Sequence, residues 1–311
     1  MRQRTLTGDM SSEAASHVGT FQEYRPLLFA IAYRMLGSAD EADDILQDAY
    51  LRFQAEPLDE VRSPKAYLST IVTRLCLNEL KSARVAREQY VGPWLPEPIL
   101  TEEIYELSDP AKRLTDYDSI SIAFLSLLQT LTPAERAVFL LHEVFDYRYD
   151  EVAGVLDKSE VACRKLFSRA KRYLAENRPR FTTTPAEHRR ILEQFMRASG
   201  SGDLDGLTAM LTEDVVFWAD GGGKVRGAAL HPVRGRDAVG RFVLGVSERF
   251  TPPGAIFGVA DVNERPTVLV RNAEGTPAIV VSIELDGGRI QSIWAIANPD
   301  KLRRVSAAAL A

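Results

Sequence analysis

Residues 131–174, LTPAERAVFLLHEVFDYRYDEVAGVLDKSEVACRKLFSRAKRYL, read as a helix, a short second helix, a tight turn and a basic helix. Thr132, Pro133 and Glu135 give the start signal. The Thr hydroxyl can accept from free backbone N–H groups, Pro tolerates the first helical position, and Glu can reach back to close a capping box. Val138, Leu141, His142 and Phe145 continue at three- and four-residue spacing, while Val152, Val155 and Leu156 mark one face of a helix from Tyr149 to Leu156. Past Asp157 and Lys158, Ser159 is a second N-cap. The helix behind it sets Arg164, Lys165, Arg169, Lys171 and Arg172 around a thin apolar stripe of Val161, Leu166, Ala170 and Leu174. This is the pattern of a helix-turn-helix whose second helix lies in a DNA groove, where guanidinium groups pair with guanine edges and cations neutralise phosphates. A solvated basic helix on a bundle would carry the same charges, so the flanking sequence has to decide.

A chain of 311 residues suffices for two or three domains, and a net charge of −5 confines any nucleic-acid surface to a local patch. Cys76 and Cys163 are the two cysteines; they lie far apart and lack neighbours at metal-ligand spacing, so neither a metal nor a cofactor is expected and a reducing compartment fits. No apolar run approaches the ~20 residues of a membrane span and no secretory pattern opens the chain, so a cytoplasmic location is expected.

Upstream of the quoted stretch, residues 1–19 are polar and are expected to be a mobile tail. Residues 20–90 predict a helical domain. Phe21, Leu28, Ile31 and Met35 keep helical spacing up to Gly37, and Ser38 with Glu41 opens an amphipathic helix from Ala39 to Gln54. Its polar face carries Asp40, Glu41, Asp43, Asp44, Gln47 and Asp48; dipole complementarity explains the first of these, and their continuation past the first turn points to a protein partner. Ser63 and Pro64 start a third helix with Tyr67, Arg74, Asn78, Lys81, Arg84 and Arg87. A ring beside cations suits stacking on an unpaired base, although Tyr67 would serve equally as core. Residues 91–118 then turn to Pro, Gly and acids, an acidic linker stiffened at Trp94-Leu95-Pro96-Glu97-Pro98, and a tryptophan there should find a surface to bury against.

Taken together, the acidic helix, the helix ending in basic residues, the acidic linker and the quoted helix-turn-helix resemble an extracytoplasmic-function sigma factor of bacterial RNA polymerase. The resemblance implies that residues 20–90 form region 2, a helical bundle that meets core polymerase through Asp40–Asp48 and the melted −10 element through Tyr67–Arg87. It implies that residues 119–179 form region 4, which reads the duplex −35 element through Ser159–Arg172. Tyr67 stands where the family usually has Trp, Arg74 where it has Asn, Asn78 where it has Asp, and Ala162-Cys163 where Val and a polar residue are usual. Promoter sequences therefore do not carry over.

Residues 180–311 have a different character. Helices over Glu187–Arg197 and Leu204–Leu211 precede strands at Val215–Trp218, Pro266–Arg271, Ala278–Leu285 and Ile290–Ala297, which predicts an α+β domain. It resembles the SnoaL-like, cone-shaped fold of the nuclear-transport-factor (NTF2-like) superfamily. That fold hosts both enzymes and binding modules, so it does not itself imply catalysis. Asp220, His231 and Asp261 are the candidate acids and bases, but no spacing pairs them, and loop residues without chemistry are the favoured reading. No catalytic residue is assigned.

Asp220-Gly221-Gly222-Gly223-Lys224 and Asn298-Pro299-Asp300-Lys301-Leu302 read individually as polar turns. With Trp94, Leu95 and Pro96 they resemble the marks of the subgroup with a fused SnoaL-like extension. The resemblance implies that this extension replaces a separate anti-sigma protein, packing against the first helical domain or the linker. A small ligand in the cone is a possible signal. Two rivals are a duplex-binding regulator that works without polymerase, and a DNA-binding regulator whose extension is a sensor or an enzyme.

Overall fold

The computed structural model describes residues 6–106, 120–177 and 183–306, with side chains described outside 6–15, 83–88 and 104–106. The chain divides into two compact units, residues 1–84, 105–116 and 128–176 in one, and residues 85–104, 117–127 and 177–311 in the other.

The first unit is helical. Helix α1 spans Leu6–Leu36, α2 Ala39–Gln54 and α3 Pro64–Glu88. Gly37, at φ 76°, ends α1, and the Ser38 hydroxyl accepts from Glu41 N at 3.2 Å to start α2. Ala42, Ile45, Leu46, Ala49 and Phe53 give α2 its buried face, against Leu28, Ile31 and Met35 among the core of α1. A tail was expected over residues 1–19, yet the backbone from Leu6 is already helical. His17 is buried, with its Nε2 2.9 Å from the Glu56 carbonyl and its ring against Phe53. The tail expectation failed because polar composition hid one anchoring ring.

After the short helices α4 (Thr101–Glu106) and α5 (Ile122–Leu128), α6 (Pro133–Phe139) begins with the anticipated capping box between Thr132 and Glu135 and runs into a π-helical turn at Leu140–Val144. Helices α7 (Tyr149–Leu156) and α8 (Glu160–Asn177) follow, joined at Asp157, whose φ of 52° is a left-handed conformation that Asp tolerates. Phe167 of α8 packs on Phe139 and His142, fixing the helix-turn-helix.

The second unit is built on a sheet. After α9 (Pro185–Ser201) and α10 (Leu204–Ala209) come β1 (Leu211–Asp220), β2 (Val233–Arg234), α11 (Arg236–Phe250), β3 (Ile256–Val262), β4 (Arg265–Arg271), β5 (Pro277–Asp286) and β6 (Arg289–Ile296). Among the described residues the sheet order is β2-β1-β6-β5-β4-β3, with β1 and β6 parallel and the other pairs antiparallel. One face packs with Ile191, Leu192, Phe195, Val239 and Val243 of the helices. The other packs with Leu95, Ile122, Ala123, Leu302 and Val305. This double coverage buries every residue of β4, where a one-faced sheet would alternate.

Three elements of this unit escape a pattern reading: β2, β3 and α11. Glycines 240 and 245 interrupt the apolar spacing of α11, and Gly240 is there for a packing reason, since a Cβ would stand 2.8 Å from Thr208 Cγ2 of α10. Of the two surfaces expected for the extension, the first helical domain or the linker, the linker is the one that lies in its unit. Residues 91–104, and 120–127 from the start of the expected region 4, belong with the sheet unit.

Candidate functional site

Within the helical unit, three surfaces follow from local structure. On α2, Asp40, Asp44, Gln47 and Asp48 are exposed, while Glu41 and Asp43 are half-buried, Asp43 paired with Arg25 at 2.9 Å. On α8, Arg164, Lys165, Arg169, Lys171 and Arg172 are all exposed behind Ser159, whose hydroxyl accepts from Ala162 N at 3.2 Å. Three of these cations have acidic neighbours: Arg164 with Glu160 at 2.7 Å, Arg169 with Glu135 at 3.1 Å, and Lys171 with Glu143 at 2.9 Å. Exposed pairs of this kind are weak, so a phosphate can replace the carboxylate.

On α3, Asn78 and Lys81 are exposed and Tyr67 is half-buried near Phe53, at 6.3 Å between rings. The side chains of Arg84 and Arg87 lie outside the described residues. Arg74 has a use that its position alone did not reveal. Its Nε donates to the Val155 carbonyl and its Nη2 to the Gly154 carbonyl, both at 3.0 Å, at the C-terminal end of α7. A cation is favoured there because the last carbonyls of a helix lack partners and carry the negative end of its dipole. Around it, Tyr147 donates to Ser69 Oγ at 2.6 Å, Gln129 Nε2 to the Leu36 carbonyl at 3.3 Å, and Arg136 Nη1 to the Met35 carbonyl at 2.5 Å. The α1–α3 bundle and the helix-turn-helix are thus docked on each other.

The second unit holds a buried polar clamp on the linker. Asp220, fully buried at the end of β1, accepts at Oδ1 from Tyr90 Oη (2.5 Å) and Gly222 N (3.2 Å), and at Oδ2 from Leu95 N (2.8 Å) and Lys301 Nζ (2.7 Å). Lys301 also donates to the Leu95 carbonyl and lies 4.0 Å from the Trp94 ring centroid, a cation–π contact. Asn298 Nδ2 donates to Tyr90 Oη at 2.8 Å. Burial and the Asp220 carboxylate push the Tyr90 phenol well above its ordinary range, so it stays a donor. Gly222, at φ 58°, is required here. A Cβ would come 2.5 Å from Asn298 Nδ2 and 3.1 Å from Tyr90 Oη.

Further along, Asn263 N donates to the Ile99 carbonyl (2.9 Å), Ile99 N to Asn263 Oδ1 (3.1 Å), and Asn263 Nδ2 to the Ile120 carbonyl (2.8 Å). Arg304 pairs with Glu103 at 2.5 Å and lies 3.8 Å from Glu97. Lys224 pairs with Asp300, tying the glycine loop to the last turn. The structure thus brings together Trp94, Leu95, Asp220, Gly222, Asn298 and Lys301. Leu302 joins the apolar layer beneath, Pro96 is buried beside Leu95, and Gly221 and Gly223 shape the turn. Sequence reasoning missed Tyr90, Asn263 and Arg304, because one tyrosine, one asparagine and one arginine carry no spacing signal. The candidate acids part company: Asp220 is committed to the clamp, Asp261 pairs with Arg189 at 3.3 Å, and His231 is exposed on a loop.

An acid-faced helix and a basic helix docked on a helix-turn-helix, with a cone domain gripping the connecting segment, define a DNA-reading transcription protein of multidomain build. Residues 20–85 match Sigma-70 region 2, residues 121–174 Sigma-70 region 4, and residues 192–296 the SnoaL-like domain. The chain is 35% identical over 294 residues to the ECF RNA polymerase sigma factor SigJ of Mycobacterium tuberculosis, covering 91% of this chain and 92% of that protein. It is 30% identical over 284 residues to the probable ECF RNA polymerase sigma factor SigI of the same organism, covering 91% and 93%. The crystal structure of the M. tuberculosis SigJ matches with a TM-score of 0.71 at 32% identity, over 91% of this chain and 97% of that one. The chain belongs to the extracytoplasmic-function sigma factors of bacterial RNA polymerase, in the form that carries a fused SnoaL-like domain. Its curated relatives are sigma factors rather than enzymes. Among the described residues no helix is long and apolar enough to cross a membrane.

Proposed function

We propose that this protein acts in the cytoplasm as a transcription initiation factor whose activity is set by its own C-terminal unit. Core polymerase is met by Asp40, Glu41, Asp43, Asp44, Gln47 and Asp48. The melted −10 element is met by Tyr67, Arg74, Asn78, Lys81, Arg84 and Arg87, and the duplex −35 element by Ser159, Arg164, Lys165, Arg169, Lys171 and Arg172. The C-terminal unit binds rather than transforms, and takes the place of a separate anti-sigma protein.

The observation that carries the regulatory part of this reading is the pair of hydrogen bonds from Arg74 to the end of α7. A guanidinium assigned to one promoter element is occupied by the helix-turn-helix assigned to the other. Two elements set apart on DNA require the two heads to separate, so the docked arrangement is the idle state. The linker that must pay out for separation is the segment gripped by Asp220, Lys301 and Asn298. A signal acts by binding the two states unequally.

Transcription with purified core polymerase tests the reading. Charge reversal at Asp44 and Asp48 should abolish polymerase pull-down, and Arg164→Ala with Lys165→Ala should erase the −35 footprint while core binding survives. Core binding and footprint both unchanged would sink the assignment. Tyr147→Phe, which loosens the docking without touching an assigned DNA contact, should raise promoter-dependent transcription several-fold; unchanged transcription would remove the idle-state reading.

A further inference from the structure

The C-terminal unit contains a cavity of about 700 Å³ on the face of the sheet opposite the clamp. Its walls include Phe195 on α9, Val243 on α11, and Phe217, Val268, Ile279 and Ala295 on β1, β4, β5 and β6. The volume falls within the range of small-molecule pockets, ~300–1,000 Å³, and most of the lining lies on helices and strands, with Gly202, Thr251 and Pro252 on the connections between them. Phe250 and Phe257 stand at the lining with 41% and 50% of their surfaces exposed, so the apolar wall continues to solvent. Apolar surface left open around a concave site of this size marks a binding site.

The polar groups of the lining narrow the choice of ligand. Glu248 is the charged residue in the lining. It is exposed and negative, which disfavours an anion. Ser199 is different. Its Oγ is buried and has no hydrogen-bond partner among the described residues, although a helical serine ordinarily bonds the carbonyl one turn back. A buried hydroxyl without a partner is costly, at about 1–3 kcal/mol, and a ligand oxygen or N–H would relieve it. The candidate acids for turnover do not contribute to this lining: Asp220 is held in the clamp, Asp261 is paired with Arg189, and His231 lies on an exposed loop.

We propose that this cavity binds a neutral, mainly apolar small molecule carrying one hydrogen-bonding group, which Ser199 receives, and that it binds without chemical change. The assignment goes beyond the transcriptional reading and does not depend on it. Its place in the fold gives it a consequence. Phe217 lies on β1 three residues before Asp220, and Ala295 on β6 three residues before Asn298, so a ligand presses on the same two strands that hold the linker.

The full-length chain should be titrated with N-phenyl-1-naphthylamine, a neutral probe that fluoresces in apolar surroundings, and the probe then displaced with naphthalene, 2-naphthol and 2-naphthoate. Saturable one-to-one binding is expected, with 2-naphthol displacing the probe at least ~10-fold better than the anion of the same ring, because a buried charge finds no counter-charge in the lining. Ser199→Ala should weaken 2-naphthol by ~3–10-fold and leave naphthalene unchanged. Ser247→Trp on α11 and Ile279→Trp on β5, which fill the cavity from two sides, should each lower probe affinity at least ~10-fold. No saturable binding, equal displacement by 2-naphthoate, or full binding in both tryptophan variants would overturn the proposal. So would a concentration-dependent dimer that excludes the probe, which would make this face a contact between copies. The 2-naphthol and 2-naphthoate comparison uses unaltered protein, so it decides even if a variant fails to fold.

Discussion

The docking of the two helical heads and the grip on the linker are both polar, yet they are built on different physics. Between the heads, Arg74, Gln129 and Arg136 donate to backbone carbonyls and Tyr147 to a serine hydroxyl, and each of these acceptors is neutral. Water can serve those acceptors when the heads part, and the net loss per bond is modest. In the clamp, Asp220 and Lys301 form a buried charge pair, with side chains 0% and 11% exposed. Removing either partner takes a counter-charge away from a buried ion, which is costlier than losing a neutral bond. The contrast teaches that the head contact is suited to opening, whereas the clamp is suited to staying shut until something deforms the strands that carry it.

The largest expected effect breaks the clamp. Asp220→Ala should destabilise the C-terminal unit by about 3–5 kcal/mol, because it removes the carboxylate that is fully buried against the Lys301 ammonium. Asp220→Ala with Lys301→Met should lose less than the single change. Chemical unfolding followed by tryptophan fluorescence reads this unit selectively, since Trp94, Trp218 and Trp294 all lie in it. A double variant as unstable as the two singles added would contradict the pairing.

Acid should strain the same unit next. Burial, with Arg265 nearby, lowers the pKa of His188 from 6.5 to about 4, so the folded protein holds it neutral. Below pH 6.5 the unfolded chain takes up a proton that the folded chain excludes. The stability contributed is complete above that pH and falls as pH drops, by on the order of 3 kcal/mol at pH 4. His188→Gln should flatten this part of the pH profile, and an unchanged slope would show that other groups govern it.

The head contact should respond less. Tyr147→Phe leaves Ser69 without its partner in a buried site and should cost about 1–2 kcal/mol of helical-unit stability by circular dichroism. Arg74→Ala removes two bonds to an exposed helix end and should shift global stability by less than ~1 kcal/mol. Its signature is local: faster amide hydrogen exchange at the end of α7. Protection that stays unchanged there would mean that Arg74 does not hold the heads.

Legibility in the sequence follows the same division. The helix-turn-helix was readable to the residue at α7, and the caps at Ser38, Thr132 and Ser159 were placed correctly, because caps and periodicity are contacts between near neighbours. The sheet was read in part. β4, β5, β6 and the end of β1 were anticipated, while β3, β2 and α11 were not, since glycines and arginines blur their apolar spacing. The glycine loop, the last turn and the tryptophan of the linker were singled out as a set, but their chemistry was not. Nothing in the order of residues says that Tyr90 and Asn298 meet at one oxygen, or that Asn263 holds Ile99 and Ile120.

By itself the sequence determined the two helical heads, the acid and basic faces, the proline-stiffened linker and the character of the cone domain, all encoded over spans of a few turns or strands. Only the tertiary structure decided that the linker belongs to the cone unit, that Asp220 is buried against Lys301, Tyr90 and the Leu95 amide, and that Arg74 is engaged by the end of α7. Those outcomes depend on pairs 80 to 208 residues apart, such as Arg74 with Gly154 and Tyr90 with Asn298. Contacts across such separations are set by the packing of whole elements, which no local pattern of residues records.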